Sequence, residues 1–155
     1  MMRALLLLPL LVLPACGGDD GGDGEDRKAT YVSEATKVCE GAVEDFEALV
    51  TPTTPEGFAP YADSLVGILE EAHHELAALT PPEADKARLE EKVVGPLEEL
   101  VTEGKAYAAQ VRAAGADQAK LLTLLSERPT AESIDVGYLR SYGLSACAEA
   151  VEKAG

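Results

Sequence analysis

The fold is decided by one long stretch, residues 89–114, LEEKVVGPLEELVTEGKAYAAQVRAA. Apolar or small residues recur every three or four positions along it, at Leu89, Val93, Leu97, Leu100, Gly104, Tyr107, Val111 and Ala114. This spacing matches the turn of an α-helix and places the recurring residues on one face. Because such a face has to be covered by other helices, the stretch predicts one member of a helical bundle.

Two stretches before it show the same spacing. Their recurring residues are Val32, Thr36, Cys39, Val43, Phe46 and Val50 in the first, and Phe58, Ala62, Leu65, Leu69, Ala72, Leu76 and Leu79 in the second. After it, a short helix is expected over residues 117–127, with Leu121, Leu122, Leu124 and Leu125 as its apolar face. Arg128-Pro129-Thr130 interrupts it, and a helical stretch that Gly143 bends follows from about residue 131. No stretch alternates with the period of a β-strand. The sequence therefore predicts an all-α antiparallel four-helix bundle with a broken fourth helix over residues 29–153.

Prolines mark the boundaries of these elements. TPTTP at residues 51–55 separates the first helix from the second. TPPE at residues 80–83 has the form of a capping box, which predicts that the third helix starts there. Pro96 lies in the middle of the third helix, where it removes one backbone hydrogen bond and predicts a kink.

The charge of the chain excludes one class of partner. There are 28 Asp and Glu against 13 Lys and Arg, a net charge of −15, and the basic residues form no patch. A nucleic-acid site needs clustered cations to neutralise phosphates, so no nucleic-acid partner is expected. Anionic lipid headgroups also repel such a body, so attachment to a membrane requires a different device.

The N-terminus supplies that device. Residues 1–3 carry one positive charge, and residues 4–15, ALLLLPLLVLPA, are apolar. Twelve helical residues rise about 18 Å, less than the ~30 Å of a bilayer core, so residues 1–15 are expected to be a signal peptide. LPAC at residues 13–16 resembles the lipobox of bacterial lipoproteins.

The resemblance implies a lipidated Cys16. In that family the cysteine receives a diacylglyceryl group, the signal peptide is removed before it, and acyl chains such as palmitate hold the protein in the membrane. The expected location is the outer face of the cytoplasmic membrane, in the cell envelope. The alternative is an ordinary secretory signal cut near Ala15, which leaves Cys16 as a free thiol. The Ala-, Asp- and Glu-rich body is also similar in composition to small helical lipoproteins of high-GC Gram-positive bacteria.

Residues 16–28 connect the anchor to the body. The segment after Cys16, GGDDGGDGEDRK, has almost no apolar surface to offset the entropy of ordering it, so a disordered tether is predicted. It contains one copy of the calcium-binding pattern G-G-x-G-x-D, at residues 21–26. That pattern works in stacked repeats, so a soluble acidic spacer is the expected role.

The two remaining cysteines form an even pair. Cys39 lies on the apolar face of the first helix and Cys147 near the end of the last. In an oxidising compartment a disulfide between them is expected, because disulfides persist there. The alternative is two buried reduced thiols that pack as small apolar residues.

Candidate metal ligands and catalytic groups are few. His73 and His74 are the only histidines, and Glu70 lies four residues before His74. Adjacent helical residues point about 100° apart, so a solvent-exposed pair is the expected state of the two histidines, with a zinc or copper site as the weaker alternative. No catalytic motif is present, so an enzyme is not expected and no cofactor is predicted.

Three functions follow from these observations. The first is a non-enzymatic module that contacts an envelope protein or another envelope component. The second is a module that binds a small ligand, which requires an apolar cavity of a few hundred Å³ between helices. The five tyrosines are candidates to line it, at Tyr31, Tyr61, Tyr107, Tyr138 and Tyr142. The third is a metal-binding lipoprotein.

Replacement Cys16→Ser tests the anchor. The variant loses the sulfur that carries the acyl chains, so it is expected to move from the membrane fraction to the soluble fraction and from the detergent phase to the aqueous phase. Cell fractionation and detergent-phase partitioning measure both changes. A variant that still sediments with the membrane would contradict the lipobox prediction.

Overall fold

The computed structural model describes residues 22–154, all of whose regular elements are helical, so the predicted all-α class is confirmed. The helices are α1 (Gly22–Ala48), α2 (Phe58–Ala78), α3 (Lys86–Leu89), α4 (Gly95–Ala114), α5 (Gln118–Ser126), α6 (Val136–Tyr142) and α7 (Ser145–Ala154). A π-helical turn, Glu90–Val94, joins α3 to α4, and 3₁₀ turns lie at Pro55–Gly57 and Ala131–Ser133. The predicted signal peptide, Cys16 and residues 17–21 lie outside the described residues.

Helix α1 begins earlier than the sequence predicts. Local composition predicts a disordered tether up to residue 28, but the chain is helical from Gly22 onward. Tyr31 is buried, and Lys28 Nζ lies 4.3 Å from the centre of the Tyr142 ring, so packing fixes the helix near this end. Once a helix is fixed, each added residue gains one backbone hydrogen bond, which extends it outward over residues with little apolar surface.

The third helix begins later than predicted and accommodates its proline. The TPPE segment does not start it; the backbone N–H groups of Asp85 and Lys86 both donate to Pro82 O, and α3 starts at Lys86. Before Pro96 the helix widens into the π turn, in which Gly95 N donates to Glu90 O. A wide turn of this kind relieves the conflict between a proline ring and the preceding carbonyl groups.

Helix α2 runs antiparallel to both α1 and α4. Asp63 and Glu70 of α2 form ion pairs with Arg112 and Lys105 of α4, so residue numbers rise along one helix as they fall along the other. Phe46, near the end of α1, shares a cavity with residues in the first half of α2. These three helices form three positions of the predicted bundle.

The fourth position is filled by short pieces that change direction. Helix α5 turns back along α4 and buries Leu121 in the same cluster as Val111. The chain then reverses before α7, which runs parallel to α1. Tyr142, just before α7, contacts Tyr31, and Lys153 of α7 pairs with Glu47, so residue numbers rise together along the two segments. The break predicted in the fourth helix is therefore a reversal of the chain.

The core consists of two clusters. The larger one joins α1, α2, α3, α4, α6 and α7, and its most deeply buried large side chains are Tyr31, Leu89, Leu139 and Leu144. The smaller one joins α2, α4 and α5 around Ala62, Val66, Ala108, Val111 and Leu121. Residues 89–114 contribute to both clusters, as their apolar spacing predicts.

Two predicted apolar faces are partly wrong. In α1 the buried residues are Tyr31, Ala35, Cys39 and Ala42, a face displaced by about one position from the predicted one, and Val50 lies beyond the helix end and is 85% exposed. In α5 only Leu121 is buried, whereas Leu122 is 61% exposed. The displaced face of α1 depends on small alanines, which the sequence pattern does not separate from surface alanines.

The cysteines of α1 and α7 lie at bonding distance. Their sulfurs are 2.06 Å apart and the bond joins positions separated by 108 residues. Both side chains are 3% exposed, within the larger core cluster. A disulfide here ties the ten-residue α7 to the 27-residue α1.

Removal of both cysteines tests this link. For the double variant Cys39→Ala, Cys147→Ala, we expect the free energy of unfolding to fall by about 3–5 kcal/mol, because a loop of this length constrains the unfolded chain by that order. Denaturant unfolding of the mature protein measures the change, and reduction of the wild type should give a similar loss. Equal stability of the oxidised and reduced protein, or two free thiols in the intact protein by mass spectrometry, would contradict the disulfide.

Candidate functional site

The candidate site is a cavity of about 280 Å³ at the end of the bundle where α1 finishes. Helices α1, α2 and α4 line it, together with the turn after α5 and the end of α7. Its apolar lining includes Phe46, Pro52, Phe58, Ala62, Leu65, Val66, Leu69, Leu100, Val111, Leu125 and Pro129. Such a lining, between helices of a bundle, is typical of sites that bind small molecules.

The broken fourth helix creates the space. Helix α5 ends at Ser126 and α7 ends at Ala154, so neither covers α2 and α4 over their full length. Small residues widen the gap further, because Ala62 and Gly104 face it. Helices α2 and α4 are close at this point: a Cβ on Gly104 would lie 3.2 Å from Val66 Cγ2.

A smaller void continues the cavity into the core. It has a volume of about 40 Å³, and four residues line both spaces: Phe46, Leu69, Leu100 and Ala154. Cys39 and Cys147 also line it, and all of the side chains around it are apolar. Phe46, which is half-buried, lies between the two spaces.

The charged residues that line the cavity are both basic. They are Arg128 and Lys153, and both are exposed, so they lie at its opening. Among residues 22–154, no Asp or Glu lines the cavity. Lys153 Nζ donates to Glu47 Oε1 at 2.6 Å and lies 3.8 Å from Glu149 Oε1, and the bond to Glu47 raises the pKa of Lys153.

Two tyrosines add polar atoms to the lining. Tyr61 and Tyr107 are half-buried and lie on α2 and α4. Burial raises the pKa of Tyr107, and the positive charge of nearby Arg128 acts in the opposite direction. A phenol hydroxyl can donate a hydrogen bond, so each of the two side chains offers a donor to a ligand. The cavity offers apolar surface, phenol donors and two cations, which are groups that bind a ligand.

The other three tyrosines lie at the opposite end of the bundle. Tyr31 and Tyr138 pack against Tyr142, with ring centres 6.3 and 5.7 Å from it. Tyr142 Oη donates to Asp85 Oδ2 at 2.7 Å. Burial is the main cause that raises the pKa of Tyr142, and this hydrogen bond raises it further. This cluster ties α6 to the start of α3 and to α1, which is a structural role.

The predicted metal ligands do not form a ligand cluster. His73 is half-buried and His74 is exposed, while the Glu70 carboxylate forms an ion pair with Lys105 of α4. Within the part of the chain that the structure describes, no three His, Cys, Asp or Glu side chains are placed to hold one ion. The calcium-like pattern falls partly on α1, where residues 22–26 are helical.

The membrane attachment predicted at Cys16 concerns residues that the structure does not describe. Across residues 22–154, no helix combines the length and the hydrophobicity that crossing a bilayer requires.

In comparisons with known proteins, no protein-family model matches the chain, and no match was found among the curated proteins or the solved structures. Sequence reasoning named Tyr61 and Tyr107 as candidates but missed Phe46, Arg128 and Lys153. The sequence signal that could have located this site is the break at Arg128-Pro129, which prevents a full fourth helix. The cavity and the N-terminal sequence are the observations from which a function can be argued.

Replacement Tyr142→Phe tests the structural role of the tyrosine cluster. We expect the free energy of unfolding to fall by about 1–2 kcal/mol, because the variant leaves the half-buried Asp85 carboxylate without its phenol donor. Thermal and denaturant unfolding measure the loss, with Tyr61→Phe at the cavity as the matched control, for which a change below about 0.5 kcal/mol is expected. Equal losses in the two variants would contradict the assignment.

Proposed function

We propose that this protein is a lipid-anchored, non-enzymatic component of the cell envelope whose helical body binds one small apolar molecule. The observation that carries the proposal is the cavity of about 280 Å³ between α1, α2 and α4. The lipobox-like LPAC at residues 13–16 supports the anchored location. Of the functions predicted from sequence, ligand binding is thus preferred over a module that contacts an envelope protein.

The volume supports a ligand of modest size. Ligand pockets in proteins range from about 300 to 1,000 Å³, and this cavity lies just below that range. A water-sized group needs about 10–15 Å³ of accessible space, so the cavity takes roughly twenty non-hydrogen atoms. The apolar lining favours hydrocarbon or aromatic groups, because their transfer from water is favourable in proportion to the area buried.

The position of the cavity supports a site that opens away from the membrane. Helix α1 spans 27 residues, about 40 Å at 1.5 Å per residue. Gly22 at its first turn follows the proposed anchor, whereas Phe46 near its last turn lines the cavity. An anchored body therefore holds the opening at the end of α1 that is remote from the lipidated residue.

The exposed apolar side chains support a protein partner less than the cavity supports a small ligand. Val50 and Leu122 are exposed, and Leu125, at 41% exposure, is already part of the cavity lining. Single exposed apolar residues are common on proteins that have no partner there. Metal binding has no supporting ligand cluster among the described residues.

Binding of the uncharged dye phenylnaphthylamine tests the cavity. Its fluorescence increases in an apolar environment, so the mature protein is expected to give a saturable increase with one site per chain. Leu65→Trp places a larger side chain in the cavity and should weaken binding at least tenfold. The matched control is Leu122→Trp, the same substitution at an exposed residue outside the cavity, which should leave the affinity within twofold of wild type.

Two results would contradict ligand binding. One is a wild-type protein without a saturable signal, and the other is a Leu65→Trp variant that keeps full affinity while circular dichroism shows it to be folded. The chain has no tryptophan, so the emission of the single indole in the Leu65→Trp variant also reports whether that side chain is buried in the cavity.

A further inference from the structure

The cavity differs in chemistry between its inner and outer ends. The inner end meets the smaller void, which Cys39 and Cys147 line and whose lining is entirely apolar. The outer end carries Arg128 and Lys153. An occupant that matches both ends is apolar at one end and polar at the other.

The sign of the outer charge specifies the polar end further. The chain has 28 acidic and 13 basic residues. The described lining has two basic residues and no acidic one, which is the opposite of the overall composition. Arg128 already takes part in other interactions, but its guanidinium has five N–H donors and can bind an anion as well. Lys153 has three donors, of which Glu47 takes one.

We infer that the ligand is a single-chain amphiphile with an anionic head, held with its head at Arg128 and Lys153 and its tail directed past Phe46 toward the void. This inference rests on the proposed function, because it names the ligand class of the same cavity. A straight chain fits a space that narrows inward between helices, and rotation of the half-buried Phe46 side chain would join the two spaces. The volume is sufficient for a chain of about ten carbons together with its head.

Three ten-carbon probes with different heads test the inference on the mature protein. Decanoate, decanol and decyltrimethylammonium, each below its micelle concentration, displace phenylnaphthylamine in proportion to their affinities. Decanoate is expected to bind at least tenfold more tightly than decyltrimethylammonium and several-fold more tightly than decanol. Decyl phosphate, in a fourth titration, distinguishes a phosphate head from a carboxylate head; both are anionic heads of the class inferred.

A double variant tests the two cations. Arg128→Gln with Lys153→Gln should weaken decanoate five- to tenfold and leave decanol within twofold, because a charge-assisted hydrogen bond is lost only for the anion. Lys120→Gln with Arg140→Gln is the matched control: it changes the net charge equally, at residues that do not line the cavity. The control should keep the preference for decanoate.

Glu47→Gln offers a test in the opposite direction. Lys153 Nζ is shared between Glu47 and Glu149, so removal of the Glu47 charge frees it for the ligand. Decanoate should bind two- to fivefold more tightly to this variant, with decanol unchanged. An increase in affinity is informative, because a damaged fold does not produce one.

The outcomes separate the two proposals. If decanol and decanoate bind equally to the wild type, or if the Arg128–Lys153 double variant weakens both equally, the anionic head is wrong and the apolar cavity stands. If none of the probes displaces the dye although the dye binds, the amphiphile is wrong. If the dye itself does not bind, the proposed function fails with it.

Discussion

The structure depends on the attachment of α7 to α1. A ten-residue helix at the end of a chain is marginal by itself, and the Cys39–Cys147 pair holds it against α1 within the core. This attachment closes the larger cluster around Leu139 and Leu144. It also positions the last turn of α7, so that Lys153 reaches the opening of the cavity. The disulfide therefore links the packing of the fold to the composition of the site.

Sequence reasoning succeeded where large side chains alternate with charged ones. Along residues 89–114 nearly every position predicted to be apolar is buried, because glutamate and lysine occupy the remaining surface. Along α1 the predicted face is displaced, since the actual contact with α2 and α7 uses Ala35 and Ala42. Alanine is accepted on both the inside and the outside of a helix, so its pattern carries little information about orientation. The helicity of residues 22–28 depends on packing further along α1, which local composition does not report.

The sequence predicts the cavity only as a requirement of one candidate function, the binding of a small ligand. Sequence identified the break at Arg128-Pro129 and the tyrosines that could line a pocket, but the lining comes from five elements whose separation along the chain exceeds 100 residues. The reversal of the chain between α5 and α7 decides which residues meet there. That reversal depends on the burial of Ala131 and Ile134 against the bundle, which is a tertiary contact and has no signature in a short window of sequence.

A cavity lowers the stability of a small bundle, and the disulfide offsets the loss. Unfilled apolar space costs roughly 24 cal/mol for each Å³, so the smaller void of about 40 Å³ corresponds to about 1 kcal/mol. The larger opening removes further packing from α2 and α4, and a fourth helix would have supplied it. The constraint from a loop of 108 residues is of the order of 4–5 kcal/mol, which exceeds the cost of the void. A chain under selection for stability alone would gain from larger side chains at Ala62 or Ala72, where the lining is small. The disulfide and the unfilled space together support the proposal that this end of the bundle receives a ligand.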